Sequence, residues 1–393
     1  MAFQELLLFT FNSPTKIVFG DGSAALAPKE LASMGARRVF IVTGPGRTAS
    51  SHALGTLKSE LEKEGLDYCH FAEAEADPSI VTVARGAALY KQEGCDSILA
   101  YGGGSPMDCA KGIGVSVAEG RPIEDFIGTG LAFTQPLPPL VAIPTTAGTG
   151  SEVTNAAVFS LEAGGQKAKK GTAGATLFPR LALVDPLLQV SMPPALTAAT
   201  GMDALTHAAE AYLSSGANSL ADMFCLESIR LIGANLLKAY VNGEDLEARE
   251  AMARASTLAG IALSQAGLGM VHGFAHAAGA LGGLAHGLAN AIILPFMMQS
   301  YVPVAESRLQ AIGRALTGRA SVSALDSAKA VADLAADLGI PHNLKAAGLK
   351  DSLLDKVFDD AKGYKRRGQS PRQYRDEELY QLYLRIWSGS VKE

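Results

Sequence analysis

Cysteine is scarce in this chain: Cys69, Cys95, Cys109 and Cys225 are the four in 393 residues, and no two stand in a C-x-x-C pair. That excludes a disulfide framework and cysteine-held zinc, and it implies reduced thiols in a cytoplasmic protein. A dominant charge is also missing. The net charge is -5 and Lys and Arg are scattered, so nucleic acid is not an expected partner. The one basic stretch, Lys362–Arg372 (KGYKRRGQSPR), reads as a solvated helix end or loop. No fixed-period repeat or low-complexity tract occurs. The first residues, MAFQELLLFTF, lack a basic start and carry Glu5, so an opening strand is expected rather than a signal peptide. Between Ala255 and Ala305 there is no Asp, Glu, Lys or Arg. Hydropathy alone would suggest a membrane span, but many glycines, His272, His276, His286, Asn290 and Pro295 interrupt the stretch, and buried core helices are expected instead.

What is present suits a large globular protein. Hydrophobic residues make up 48% and charged residues 19%, and the length exceeds one ordinary core, so two domains are expected. The first half repeats a rhythm of amphipathic helix, glycine stop and short apolar strand. LASMGARRVFIVTG, LEKEGLDYCHF and YKQEGCDSILAYGGG place Gly35, Gly65 and Gly94 where a helix C-cap belongs. Leu140–Ile143 and Leu181–Val184 add short buried strands, ended by Pro144 and by Asp185-Pro186. Strands alternating with helices predict a mostly parallel sheet. After Ser191–Pro194, where two prolines interrupt either pattern, helix-period segments follow one another almost without strand signal. The expected fold is therefore an α/β domain over residues 1–192 and an all-α domain over 193–393.

In DSILAYGGGSPMDCAKG a strand runs into Gly102, Gly103 and Gly104 and then a helix, with Ser105 expected as N-cap and Pro106 at the first helical position. Such a turn lets backbone approach a phosphate, whose charge the helix N-terminus favours. A bare strand-to-helix turn would look the same. Gly44-Pro45-Gly46-Arg47-Thr48-Ala49 fits G-x-G-x-x-A only loosely. A third polar loop, PTTAGTGSEVT, spans Pro144–Thr154. Three such loops at neighbouring strand ends are more specific than any one, because ligands of open parallel sheets bind at those carboxyl edges.

GMDALTHAAEAY puts Asp203 and His207 at i and i+4 on one helix face, and VHGFAH repeats the spacing with His272 and His276, followed by His286. A lone histidine in an apolar segment is usually a hydrogen-bonded core residue. Several imidazoles and a carboxylate in a charge-free region need something shared to bind them, and Asp with His suits Fe²⁺ or Zn²⁺. Spacing alone does not choose among the histidines.

GGGSPMDCAKG, PTTAGTGSEVT, VDP, PPALTAATGMDALTHAAEAY and VHGFAHAAGALGGLAHGLANAIILP, in this order and across nearly the whole chain, resemble the iron-containing (group III) alcohol dehydrogenase family. The resemblance implies a Rossmann-like N-terminal domain, a helical C-terminal domain and an active site in the interdomain cleft. It implies Asp203, His207, His272 and His286 as ligands of Fe²⁺, with Zn²⁺ as the alternative, and His276 beside the nicotinamide as catalytic candidate. Gly102, Gly103, Gly104 and Ser105 match a pyrophosphate loop, with Asp108 in the same block. Thr145, Thr146 and Thr149 match a loop on the nicotinamide side, and Lys169 a lysine near the ribose. Many members carry an Asp where this chain has Gly44. That Asp would repel a 2′-phosphate, so Gly44 with Arg47 implies tolerance of NADP as well as NAD. The implied function is a metal-dependent alcohol dehydrogenase or aldehyde reductase for a small primary alcohol or diol. The implied protein is cytoplasmic and a homodimer or larger homo-oligomer, without nucleic acid or membrane partners. The alternatives are a metal- and NAD-dependent lyase resembling dehydroquinate synthase, and a metal-free relative.

Overall fold

The computed structural model describes residues 8–163 and 166–391. The chain divides into two compact units: Ser13–Thr146 with Gly150–Val190, and Ser191–Glu393 with Ala147–Thr149 and the segment ending at Asn12.

The first unit holds strands β1 (Lys16–Phe19), β2 (Arg38–Val42), β3 (Asp67–Phe71), β4 (Ser97–Gly102), β5 (Leu140–Pro144), β6 (Ala156–Ala163), β7 (Gln166–Ala173) and β8 (Leu181–Val184). Six form one parallel sheet in the order β1-β8-β5-β4-β2-β3. Helices α1 (Ala27–Ser33), α2 (His52–Lys63), α3 (Ile80–Gln92) and α4 (Gly104–Ala118) connect them. Alternation along the strands gives each face its own core. Phe40, Val42, Ile98 and Ala100 pack with Val83 of α3 and Ile113 of α4, while Val39, Ile41, Leu99 and Tyr101 pack with Leu31, Leu54 and Leu61 of α1 and α2. Parallel sheets require this double cover. The strand order reverses between β2 and β4, which makes their carboxyl ends the switch point where such sheets bind ligands.

The glycine stops act as expected. Gly35, Gly65 and Gly94 have φ of 86°, 78° and 63°. The following N–H groups reach back to the last helical turn, Ala36 to Leu31, Leu66 to Leu61 and Cys95 to Tyr90. This left-handed cap aims the chain back into the sheet.

Two expectations are corrected. Of the opening strand, residues 1–7 lie outside the described residues and Leu8–Phe11 is not strand; among the described residues the first strand is β1. The sheet is also accompanied by an antiparallel hairpin, β6 with β7, which pairs Ala156 with Ala173 through Ala163 with Gln166.

The second unit is helical: α5 (Pro194–Leu213), α6 (Ser219–Val241), α7 (Leu246–Ala266), α8 (Met270–Gly282), α9 (His286–Thr317), α10 (Ala324–Asp337), α11 (Leu354–Lys362) and α12 (Asp376–Ser388). Pro193 and Pro194 occupy the N-cap and first position of α5, where a missing N–H costs nothing. The axes of α7 and α8 bend by 108° across Gly267-Leu268-Gly269. Helix α9 contains Pro295 and Pro303 and departs from helical geometry at Ala305. It is long and apolar enough to cross a membrane, yet 67% of its most apolar window is buried within the protein, as befits a core helix. Lys362 ends α11 and pairs with Asp359, while Arg367 pairs with Asp376, so the basic stretch is a helix end and loop.

Candidate metal centre

Three helices of the second unit bring four side chains to one point. Asp203 and His207 lie one turn apart on α5, His272 is the third residue of α8 and His286 the first of α9. One ligand atom from each lies within 4.8 Å of all the others. Asp203 Oδ1 is 3.8 Å from His207 Nε2 and 3.6 Å from His286 Nε2. His276, one turn beyond His272, stays outside this cluster; its ring centroid is 5.9 Å from that of His272 and 5.3 Å from that of His286.

The outer nitrogens explain which edge each ring turns inward. His207 Nδ1 lies 3.3 Å from the Gly148 carbonyl oxygen, and His272 Nδ1 lies 2.5 Å from Glu210 Oε2. An Nδ1–H donated outward leaves a bare lone pair on Nε2. Burial holds His272 well below its ordinary pKa, with His207 adding to the effect, so the ring is neutral. Burial alone would raise Asp203; attraction from the neighbouring rings, His207 and His286 first, and the Asn290 amide donor more than offset it and hold the carboxyl below its usual range. Burial likewise pushes Glu210 up to about 7, against the backbone N–H groups of Gly269 and Val271.

A carboxylate and at least two imidazole lone pairs thus converge in a largely buried place, open only on the side of His286, which is 27% exposed. The amide of Asn290 approaches them, with Nδ2 at 2.7 Å from Asp203 Oδ1, 3.3 Å from His272 Nε2 and 3.2 Å from His286 Nε2. Its Oδ1 is buried and has no hydrogen-bond partner among the described residues. One amide does not balance that set, whereas a divalent cation does; the donors fit Fe²⁺ or Zn²⁺.

In the α/β unit, Gly103 rather than Ser105 is the N-cap of α4, and no side chain caps it. Ser105 Oγ instead accepts from the Asp77 N–H at 3.2 Å. Gly102 has φ 151°, and a Cβ there would lie 2.8 Å from Pro106 Cγ. Thr145 N donates to the Gly102 carbonyl, and a Cβ on Gly103 would lie 3.1 Å from Thr146 Oγ1, so the two loops run side by side. Lys169 is buried and 2.5 Å from Asp77 Oδ2, while Lys170 is exposed. Asp108 turns inward, accepting from Ser151 Oγ at 2.8 Å and Val158 N at 2.9 Å. Arg47 is exposed beyond Gly44.

Both halves of the chain match family models: residues 14–186 match "Iron-containing alcohol dehydrogenase" and residues 197–387 match "Fe-containing alcohol dehydrogenase family, C-terminal". The chain belongs to the iron-containing alcohol dehydrogenase family. It is 36% identical to a 1,3-propanediol dehydrogenase of Klebsiella pneumoniae, over 96% of this chain and 98% of that protein. It is 37% identical to an NAD-dependent methanol dehydrogenase of Bacillus methanolicus, over 89% of this chain and 92% of the other. A crystal structure of a 1,3-propanediol oxidoreductase superposes with a TM-score of 0.91 at 34% identity, covering 97% of this chain and all of that one. Membership of the iron-containing alcohol dehydrogenases makes the chain a metal-dependent, nicotinamide-linked enzyme and decides against the lyase alternative.

Sequence reasoning passed over several residues here. Glu210 stands three places after His207 and Asn290 four after His286, spacings that share a helix face. Lys111, fully buried, gives its Nζ to Ser151 Oγ, Thr154 O, Thr154 Oγ1 and Ala156 O at 2.9–3.0 Å, and burial brings it down to about 8. His70 accepts from Lys58 at 2.8 Å and faces Thr43 Oγ1 at 2.9 Å, next to Gly44. Nothing in periodicity marks these last contacts.

Proposed function

We propose that this enzyme interconverts a small primary alcohol or diol and its aldehyde, with Asp203, His207, His272 and His286 as ligands of Fe²⁺ or Zn²⁺. The observation that carries the reading is the convergence of those four ligand atoms within 4.8 Å. When bound, the ion supplies Lewis-acid polarisation of the alcohol or carbonyl oxygen, and the dinucleotide supplies the hydride acceptor. The chain's own task is orientation. His276, beside the cluster and 5.7 Å from the Tyr364 ring, orients the nicotinamide or relays the alcohol proton.

Residues 1–192 are assigned to the dinucleotide and 193–393 to metal and substrate. The uncapped start of α4, with Gly102, Gly103, Gly104 and Ser105, receives the pyrophosphate. Thr145, Thr146 and Thr149 serve the nicotinamide side and Lys169 the ribose. Asp108 acts behind this surface, tying Ser151 and Val158 in place. NADP is accepted alongside NAD. Gly44 carries no carboxylate to repel a 2′-phosphate, and Arg47 together with the Lys58–His70 pair behind Thr43 puts positive charge nearby. Relatives named for 1,3-propanediol and methanol support a short substrate. Four free thiols support a cytoplasmic setting, and a homodimer is the assembly expected from symmetry.

Reduced-cofactor formation with methanol, ethanol and 1,3-propanediol, before and after chelation and after Fe²⁺ or Zn²⁺ is restored, tests the proposal. Full activity of metal-free protein would refute it. Comparing kcat/KM for NAD and NADP tests the cofactor assignment, and an overwhelming preference for NAD would overturn the role of Gly44.

A further inference from the structure

We propose that Glu210 is a positioning residue for the metal centre, fixing His272 in the tautomer whose Nε2 faces Asp203, His207 and His286. The inference rests on the metal reading above. The N-cap of helix α8 is Gly269, which has no side chain to cap it, so the first N–H groups of the helix are satisfied from elsewhere. Met270 N donates to Ser370 Oγ at 3.0 Å and Val271 N to Glu210 Oε1 at 2.8 Å. The other oxygen, Oε2, receives His272 Nδ1 at 2.5 Å. One carboxylate therefore caps the helix and clamps the ring that the helix delivers. The start of α8 favours a negative charge at this place.

Close approach makes the arrangement specific. A Cβ on Gly269 would lie 3.0 Å from Glu210 Oε1 and 2.9 Å from Ser370 Oγ, so a glycine there lets the helix begin against the carboxylate. Glutamine would keep the size of Glu210 but has a single acceptor oxygen. Either Val271 N–H or His272 Nδ1–H would then face an NH₂ group, and the ring would lose its fixed tautomer or the helix its cap. Outer carboxylates of this kind raise the basicity of a metal-bound imidazole, and their loss costs ~10–100-fold in metal affinity.

The test uses the full-length protein and Zn²⁺ alone, with affinity read by competition against a chromogenic chelator and melting followed on metal-free protein. Wild type should hold one Zn²⁺, His272→Ala should lose it, and Glu210→Gln should bind ~10–100-fold more weakly. Wild-type affinity in Glu210→Gln, even with a lowered melting temperature, would show a structural role only and overturn the inference. Wild type that holds no Zn²⁺ would overturn the metal reading itself. If Glu210→Gln does not fold, ¹⁵N-histidine NMR of Zn²⁺-loaded wild type decides. A proton on His272 Nδ1 supports the inference, and one on Nε2 overturns it.

Discussion

Gly287 follows His286 at the start of α9 and lies against the backbone of α5, which carries two of the candidate ligands. A Cβ there would stand 2.2 Å from the Ala199 carbonyl oxygen, 2.8 Å from its carbon and 3.3 Å from Asp203 Cβ. Ordinary contact begins at 3.4 Å, so in Gly287→Ala one helix must retreat by about 1.2 Å, and the obstacle is backbone, not a flexible side-chain end. Overpacking of this kind costs ~1–3 kcal/mol, while alanine's helix preference returns up to ~1 kcal/mol. The net loss of stability is therefore modest, about 1–2 kcal/mol. The site suffers more, because metal–ligand distances tolerate only ~0.2 Å and the shift separates His286 from Asp203. Catalytic efficiency should fall by about 100-fold, as for a 1 Å misplacement of reacting groups, together with weaker retention of metal. Gly55→Ala in α2, where a Cβ meets nothing within 4 Å, is the control and should leave both unchanged. Metal content after dialysis, kcat/KM and melting with and without metal measure the outcome. A Gly287→Ala protein that keeps wild-type metal and rate would refute the reasoning.

Lys111→Met leaves four oxygens without their shared donor and Asp108 without the charge that favours its ionised form, so a loss of about 3–5 kcal/mol is expected in denaturant melts; a loss under ~1 kcal/mol would mean the ammonium is dispensable. His70 is held down to about 4 from 6.5, by burial first and Lys58 second. The unfolded chain takes up a proton between those values that the folded chain refuses, so this contribution is complete above pH 6.5 and disappears as pH falls through 4. His70→Asn should flatten that acid limb in urea titrations, and an unaltered slope contradicts the assignment. Gly44→Asp should lower kcat/KM for NADP far more than for NAD, at some cost in stability because its Cβ would lie 3.2 Å from the Ala74 carbonyl. Equal losses with both cofactors would show that the position does not read the 2′ group.

Much of the fold was written in local signals. Gly35, Gly65 and Gly94 end helices by a backbone geometry that glycine alone adopts freely, so sequence and structure agree there closely. The hairpin was overlooked although Gly164-Gly165 between two runs is a turn signal, because Gln166-Lys167-Ala168-Lys169-Lys170 has little of the apolar alternation that marks a strand. Ser105 looked like a cap because serine usually is one; here its hydroxyl is taken by the Asp77 N–H, a tertiary contact that propensity does not encode. The candidate ligands were legible as types and spacings, while their separation from His276 needed either the family's motifs or the geometry. Gly148, Glu210 and Asn290 are long-range partners whose importance appears only when α5, α8 and α9 meet.

Both units enclose a fixed positive charge: in the helical unit Arg249 is fully buried and donates to Thr197 Oγ1 and to the Gly243 and Met192 carbonyls. In the α/β unit Lys111 is such a charge, covalently part of the chain and beyond the reach of any chelator or competing ion. Removal of iron or zinc would thus leave the polar loop around Ser151 and Thr154 with its own cation in place.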